Sequence, residues 1–170
     1  MIRNATIEDI EKLVNLKTRV GRDTYFDYGT PEQFDRWVSE VCSPEYFEEL
    51  LNNSTTVIVA EYQEVFLGMS AVSFYDDKAL FGNLYIGLQD RGLGSLLTRH
   101  RMTLVDSHVS LMSPFSTYDV EARVFYQNHR AYKHLLKHGF LPVDWKMHEQ
   151  YDFPLVIMKQ TLQNNSIVYT

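Results

Sequence analysis

Apolar and polar residues in the first part of the chain follow helical spacing. After Thr6, apolar side chains recur at intervals of three and four and predict the inner face of a first helix (Ile7, Ile10, Leu13 and Val14). Thr6 and Asp9 have the spacing of a capping box at its start. Pro31 favours the opening of a second helix that runs to Val41, and residues 44–51 predict a short third one.

The rest of the chain alternates between short apolar runs and two further helical patterns, over residues 92–108 and 128–138. The apolar runs predict strands at residues 2–5, 55–62, 65–75, 80–86, 120–125, 141–148 and 155–161. The second and third of these runs flank Gln63-Glu64 and therefore predict a hairpin. The Ser- and Pro-containing segment 110–118 predicts a loop.

This order of elements predicts an α/β (α+β) protein. The expected architecture is a mixed, mostly antiparallel central sheet of six to seven strands with helices on both faces. A chain of 170 residues, 45% of them hydrophobic, has the length of one domain and can bury a substantial core. We therefore expect a single domain over residues 1–162, followed by a polar C-terminal tail at 163–170.

Composition narrows the class of protein. Cys42 is the single cysteine, so no internal disulfide can form and a reducing, cytoplasmic location is expected. The longest apolar stretches, residues 56–60 and 155–158, are too short to cross a bilayer. The segment after Met1 has no apolar signal region. The scattered histidines lack metal-ligand spacing, so no metal is expected. No membrane partner is expected either, because the apolar stretches are too short.

Charge is distributed unevenly along the chain. Residues 23–49 contain eight acids and one base, a net charge of −7, whereas residues 91–137 contain seven bases and three acids, a net charge of +4. A basic segment suits a ligand with phosphate charges, and an acidic segment suits a cationic acceptor such as an amine. Solvated helical faces would give the same asymmetry. The net charge of −6 without a basic stripe disfavours nucleic acid.

The candidate chemistry lies in the turn between the strand 80–86 and the helix that begins near Gly92. Two glycines in this turn let backbone N–H groups approach a ligand without interference from a Cβ. The start of the helix favours an anion there, typically a phosphate. An ordinary strand-to-helix turn with glycines for tight packing is the alternative interpretation.

This turn does not match the sequence patterns of two common phosphate-binding loops. Gly87 and Gly92 have the outer spacing of a Walker loop, but Leu93-Gly94 stands where Lys-Ser/Thr is required. The turn also begins like a dinucleotide-binding fingerprint, but Leu97 occupies the third glycine position. A nucleotide-binding protein is therefore disfavoured.

The turn does match the pattern Gln/Arg-x-x-Gly-x-Gly/Ala, through Gln89, Gly92 and Gly94. A second block has Asn, Ala three residues on, and Gly-Phe eleven and twelve residues on (Asn128, Ala131, Gly139 and Phe140). In this order the two blocks resemble the GNAT superfamily of N-acetyltransferases, and the resemblance covers residues 1 to about 160. Leu135 departs from the pattern, because the superfamily usually has a tyrosine there.

The resemblance implies the GNAT fold and acetyl-CoA as cosubstrate, with no metal. It implies that the thioester arm pairs with an open strand edge at residues 85–88 and that the pyrophosphate binds the turn. The implied cofactor-binding residues are Tyr85, Ile86, Gly87, Leu88, Gln89, Asp90, Arg91, Gly92, Leu93, Gly94, Ser95 and Asn128.

The implied reaction is transfer of an acetyl group to a primary amine of a small-molecule or peptide acceptor, by direct attack on the thioester. An alkylammonium has a pKa of about 10, so it must lose a proton first. Asn83 stands where some relatives carry a glutamate base, and Glu121 is the remaining candidate base. Tyr132, one helical turn before Leu135, is the candidate acid for the departing thiolate. A backbone amide near residues 85–87 is the expected oxyanion donor.

Tyr25, Phe26 and Tyr28, beside two acids, are expected to wall the acceptor pocket together with Asn83, and aromatic rings with acids suit a cation. Core packing of these rings is the alternative. A homodimer is compatible with the resemblance. A non-catalytic acyl-CoA-binding regulatory module is the second functional interpretation, because Leu135 and Asn83 replace two residues typical of active relatives.

Overall fold

The computed structural model describes residues 1–112, 117–148 and 153–163. The helices are α1 (Ile10–Tyr25), α2 (Pro31–Val41), α3 (Pro44–Asn52), α4 (Leu93–Met112) and α5 (His129–Lys137). The strands are β1 (Ile2–Asn4), β2 (Thr55–Tyr62), β3 (Val65–Phe74), β4 (Lys78–Ile86), β5 (Thr117–Phe125), β6 (Leu141–Met147) and β7 (Pro154–Gln163).

The predicted helices and strands are present, within a few residues of their predicted bounds. The loop predicted over residues 110–118 is wrong at both ends, because α4 continues to Met112 and β5 begins at Thr117. Strand β7 includes Gln163, the first residue of the predicted tail, and residues 164–170 lie outside the described part of the chain.

The strands form one seven-stranded mixed sheet in the order β1-β2-β3-β4-β5-β7-β6. Strands β1 and β2, β5 and β7, and β6 and β7 pair antiparallel, whereas β4 and β5 pair parallel. The predicted fold class, a mixed and mostly antiparallel sheet with helices, is confirmed.

The parallel ladder between β4 and β5 is short. It joins Lys78–Phe81 to Asp119–Ala122, and both strands continue beyond it, β4 to Ile86 and β5 to Phe125. The β4 residues that follow the ladder include the predicted edge for the thioester arm.

Two compact units make up the chain. Unit 1 contains Met1–Ala71 and Asn83–Leu97, and unit 2 contains Val72–Gly82 and the chain from Thr98 onward. Unit 1 has its own core from α1, α3, β2 and β3, with Leu13, Phe47 and Met69 fully buried. The core of unit 2 includes Val120, Phe140 and Met158. The single domain predicted over residues 1–162 stays a prediction.

Local sequence accounts for the turns that place the unit 1 elements. Gln63 and Glu64 have φ values of 47° and 63°, the left-handed pair that a two-residue hairpin loop requires. Helix α2 begins after Thr30, whose hydroxyl accepts a hydrogen bond from the Gln33 amide. Helix α3 begins after Ser43, which caps it in the same way. These caps position the aromatic residues of α2 and α3 that line the candidate functional site.

Candidate functional site

The end of β4 turns sharply in unit 1. The amides of Gly87 and Leu88 both donate to the carbonyl oxygen of Leu67 in β3, at 2.8 and 3.2 Å. A Cβ on Gly87 would lie 2.9 Å from the Arg19 guanidinium and 3.0 Å from the Leu16 side chain. Close approach to Leu16 and to the Leu67 carbonyl therefore favours glycine here.

This hydrogen bonding changes the expected oxyanion donor. The amide of Gly87 is already used by Leu67, although the sequence places it among the candidates. The amides of residues 85 and 86 therefore remain the candidates for the oxyanion donor.

The predicted phosphate-binding turn follows directly. Asp90 and Gly92 both adopt left-handed backbone conformations, with φ values of 59° and 73°. The amide of Leu96 donates to the Gly92 carbonyl at 3.0 Å, so Gly92 precedes the first turn of α4. None of the described residues places a heavy atom within 4 Å of where a Gly92 Cβ would lie. Open space beside a helix start is what an anionic ligand requires.

A second glycine brings the start of α4 close to the sheet within unit 1. A Cβ on Gly68 in β3 would lie 3.1–3.3 Å from the side chains of Leu93, Ile86 and Leu97. The absence of a side chain at Gly68 thus lets the first turn of α4 pack tightly on β3. This contact fixes the helix start relative to the end of β4.

The predicted acceptor residues form part of an aromatic cluster that reaches β4. Tyr25 contacts Tyr28 and Trp37 edge-on, with ring centroids 5.6 and 5.5 Å apart, and its ring lies 6.5 Å from that of Tyr85. Phe26 packs on Phe34 at 5.4 Å. Unit 1 therefore brings the predicted acceptor wall against a residue of the predicted thioester edge.

Asn83 lies in β4 with a left-handed φ of 49°. Asparagine tolerates this conformation better than most residues with a Cβ, but it remains uncommon within a strand. The Asn83 amide donates to the Tyr46 hydroxyl at 2.9 Å, so α3 holds the side chain in place. Left-handed residues of this kind are concentrated at functional sites.

Lys17 is a residue of this region that the sequence analysis missed. It lies on α1, is only 2% exposed, and its ammonium stands 4.0 Å from the Tyr46 ring centroid and 5.4 Å from that of Tyr85. Burial lowers the pKa of the Lys17 side chain to about 7. A signal was present in the sequence, because Lys17 interrupts the apolar stripe of α1 between Leu16 and Val20.

Glu121, the predicted base, lies on β5 in unit 2. Its carboxylate accepts a hydrogen bond from Arg123 at 3.1 Å and forms an ion pair with Lys78 at 3.4 Å. Burial raises the pKa of this carboxyl, but the hydrogen bond from Arg123 and the nearby positive charges outweigh burial and hold the pKa below its ordinary value. A carboxylate stabilised in this way is a weak proton acceptor.

The residues predicted on α5 are used in packing and capping. Tyr132 is partly buried against the unit 2 core, and Leu135 is 5% exposed. The Asn128 side chain accepts from the Ala131 amide at 3.0 Å and so caps the helix. Their predicted roles as acid and cofactor ligand stay predictions.

Unit 2 buries a second basic residue. Arg101 on α4 is 1% exposed, and its guanidinium lies 4.1 Å from the Phe81 ring centroid. It donates to the Thr98 hydroxyl at 3.1 Å and to the Gly82 carbonyl at 3.4 Å. The Thr98 hydroxyl in turn bonds to Nε2 of His134 at 2.9 Å. Burial and neighbouring positive charges lower the pKa of His134 to about 4.

No protein-family model and no curated protein sequence matches this chain. Solved structures do. The PaiA N-acetyltransferase from Thermoplasma acidophilum, solved in complex with coenzyme A, has a TM-score of 0.78 at 20% identity, over 95% of this chain and 98% of its own. The ribosomal-protein-S18-alanine N-acetyltransferase from Escherichia coli has a TM-score of 0.73 at 14% identity, over 100% and 99%.

A third match names the fold family directly. The acetyltransferase of the GNAT family from Streptococcus pneumoniae has a TM-score of 0.66 at 16% identity, over 95% of this chain and 98% of its own. The chain has the GNAT fold. The resemblance inferred from the two sequence blocks is thus confirmed at the level of the fold.

No group of three or more His, Cys, Asp or Glu side chains within residues 1–112, 117–148 and 153–163 could hold a metal ion. Among the helices of the same ranges, none has the length and apolar character needed to span a membrane.

Proposed function

We propose that the chain is an N-acetyltransferase that moves an acetyl group from acetyl-CoA to a primary amine of a small-molecule or peptide acceptor. The observation that carries the proposal is the turn at residues 87–92, which opens α4 with two left-handed residues on a chain with the GNAT fold. A solved structure with the same fold contains coenzyme A, which supports this cosubstrate.

Donor binding is assigned to unit 1. The diphosphate would lie against the main chain of residues 89–95, where the dipole of α4 favours negative charge. Gly92 keeps that approach open, and Gly87 fixes the bend before it. The remaining predicted cofactor residues, from Tyr85 to Leu88, would pair with the arm that carries the thioester.

The transferred acetyl group requires a donor for the oxyanion of the tetrahedral intermediate. A backbone amide of residues 85–86 is assigned this role, because the Gly87 amide is engaged by Leu67. A preorganised backbone amide stabilises charge that develops only during the reaction. The acceptor nitrogen attacks the carbonyl carbon, the C–S bond breaks, and CoA leaves as a thiolate.

The acceptor is assigned to the aromatic wall of Tyr25, Phe26 and Tyr28, with Asn83 nearby on β4. A named structural neighbour acts on an alanine of ribosomal protein S18, which supports an amine acceptor. The acidic segment 23–49 would concentrate a cationic amine. Tyr132 is kept as the proposed acid, although a simple thiol pKa of about 8.5 permits the thiolate to leave without one.

Placing a large side chain in the first turn of α4 tests the donor site. Gly94→Trp should weaken CoA binding at least tenfold, about 1.4 kcal/mol or more, because the indole would occupy space against the diphosphate. The control is Ser110→Trp, which adds the same bulk at an exposed position near the other end of α4. Calorimetric titration with CoA measures both variants.

Turnover is then measured as thiol release from acetyl-CoA with a panel of alkylamines, polyamines, amino acids and short peptides. Equal CoA affinity in the two tryptophan variants would show that the phosphate-binding turn is misplaced. CoA binding without turnover on any amine would instead favour the non-catalytic module.

A further inference from the structure

Lys17 has surroundings that are unusual for a lysine. Four aromatic rings from three elements, α2, α3 and β4, face its ammonium, with centroids at 4.0 Å (Tyr46), 5.4 Å (Tyr85), 5.5 Å (Phe47) and 6.0 Å (Trp37). At 2% exposure the amine has lost most of its hydration. Aromatic faces attract a cation but replace only part of that hydration.

None of the described residues supplies a counter-ion to this amine. Within the described part of the chain, no carboxylate forms an ion pair with Lys17. The titratable groups that face it are Cys42, Tyr46 and Tyr85, and burial raises the pKa of each of them, so all three are neutral at physiological pH. Because desolvation dominates, the pKa of Lys17 falls to about 7, and a large share of the amine is unprotonated at neutral pH.

The position of this amine matches the acceptor side of the proposed reaction. Tyr46, whose ring lies nearest to Lys17, is hydrogen-bonded to Asn83, the residue that replaces a glutamate base by resemblance. Tyr85, the next ring, contacts Tyr25 of the proposed acceptor wall. Glu121, by contrast, is engaged by Lys78 and Arg123.

We propose that the ε-amine of Lys17, directly or through one water, accepts the proton that the acceptor nitrogen loses as it attacks the thioester. The inference rests on the proposed acetyl transfer. The acceptor first gives its ammonium proton to solvent, and the neutral amine then attacks: the new C–N bond forms, the C–S bond breaks, and the second proton passes from the acceptor nitrogen to Nζ of Lys17. The resulting ammonium then releases this proton to the thiolate or to solvent, which restores the neutral amine.

A cationic acceptor strengthens this arrangement. Two positive charges close together in a buried site repel each other, so each disfavours protonation of the other. Binding of an alkylammonium beside Lys17 therefore keeps the lysine neutral, and a neutral lysine avoids repelling the acceptor. A lysine with its ordinary pKa would stay protonated beside the acceptor and would repel it.

The test is the pH dependence of kcat and kcat/KM on an active amine from the panel, from about pH 5.5 to 9.5. Wild type should show a limb that rises with pH and has its midpoint near the Lys17 pKa of about 7, because the base must be neutral. Lys17→Met should lose this limb and at least about 100-fold in kcat. CoA affinity should change little, since Lys17 is assigned to the acceptor side.

Three further variants separate catalysis from structure. Lys17→Arg keeps a positive charge but cannot accept a proton, so it should be as impaired as Lys17→Met. Lys12→Met is the matched control, because Lys12 lies on the same helix over the Phe66 ring but is 45% exposed and paired with Glu61. Glu121→Gln should retain the limb, whatever its effect on rate.

Each outcome decides the question. A limb that persists in Lys17→Met, activity restored by Lys17→Arg, or a limb lost in Glu121→Gln would overturn the role of Lys17 while leaving acetyl transfer standing. Absence of turnover by wild type on the whole panel would overturn the proposed function and this inference with it. If Lys17→Met fails to fold, Lys17→Arg and Glu121→Gln still decide.

Discussion

Unit 1 and unit 2 each bury a basic side chain against aromatic rings, but the two residues are held very differently. Lys17 in unit 1 is surrounded by ring faces, and no described residue supplies a hydrogen-bond acceptor or a carboxylate to its ammonium. Arg101 in unit 2 stacks on Phe81 and also donates to Thr98 and Gly82. Neither residue forms an ion pair with a described carboxylate.

The difference follows from the chemistry of the two groups. A guanidinium is weakly hydrated and presents a planar fork of donors, so it can remain charged when buried if some donors are satisfied. An ammonium is strongly hydrated and loses its proton more readily. Burial lowers both pKa values, to about 7 for Lys17 and about 9 for Arg101, so only Lys17 is divided between two protonation states at neutral pH.

Removing Arg101 should have the largest effect on stability. Arg101→Ala removes the ring contact and two hydrogen bonds and leaves a cavity, partly offset by the loss of a buried charge, so the free energy of unfolding should fall by about 2–4 kcal/mol. Arg99→Ala, at an exposed position on the same helix, should change it by less than about 0.5 kcal/mol. Urea denaturation of both variants measures this. Equal free energies of unfolding for the two variants would mean that the Arg101 guanidinium does not stabilise unit 2.

The sequence predicts local features of this site better than distant contacts. The turn at Gly87–Gly92 can be predicted from the sequence because glycine and helix-start signals act over a few residues. The same holds for the hairpin at Gln63-Glu64. The surroundings of Lys17 depend on α2, α3 and β4, which are far from it in the chain, so no local pattern specifies them. Only the interruption of an apolar stripe by a lysine marked the position.

Gly21 is another residue whose role cannot be predicted from local sequence. Substituting it is also a way to disturb the surroundings of Lys17. Gly21 lies within α1, where glycine normally costs about 0.5–1 kcal/mol relative to alanine. A Cβ on Gly21 would overlap the indole of Trp37, one of the rings that face Lys17. The glycine is therefore needed to seat that ring, which helical propensity alone would not indicate.

Gly21→Ala should consequently lower the free energy of unfolding by about 1–3 kcal/mol, the reverse of the usual helical gain. Displacement of Trp37 should also admit water to Lys17 and move the acidic limb of the pH–rate profile to higher pH. The control is Gly82→Ala in β4, where no described residue has a heavy atom within 4 Å of the added Cβ. A stabilised Gly21→Ala variant would show that Trp37 does not depend on this glycine.

The pH dependence of the free energy of unfolding also distinguishes Lys17 from Arg101, with the smallest expected effect when it is counted per pH unit. Folding lowers the pKa of Lys17 from 10.5 to about 7, so between these values the unfolded chain binds more protons than the folded one. Stability should therefore rise with pH across this window, by at most about 1.4 kcal/mol per pH unit, whereas below pH 7 the penalty is constant.

Lys17→Met should remove this rise and stabilise the protein most below pH 7, where it eliminates a buried charge. Lys12→Met, which removes an exposed and ion-paired lysine, should retain the rise. Arg101 stays protonated throughout the lower part of the window and adds no slope there, so the contribution of Lys17 can be isolated by urea titrations between about pH 6 and 8.5. A slope that is the same in Lys17→Met and wild type would mean that Lys17 stays charged when folded, and the contrast with Arg101 would then be one of geometry alone.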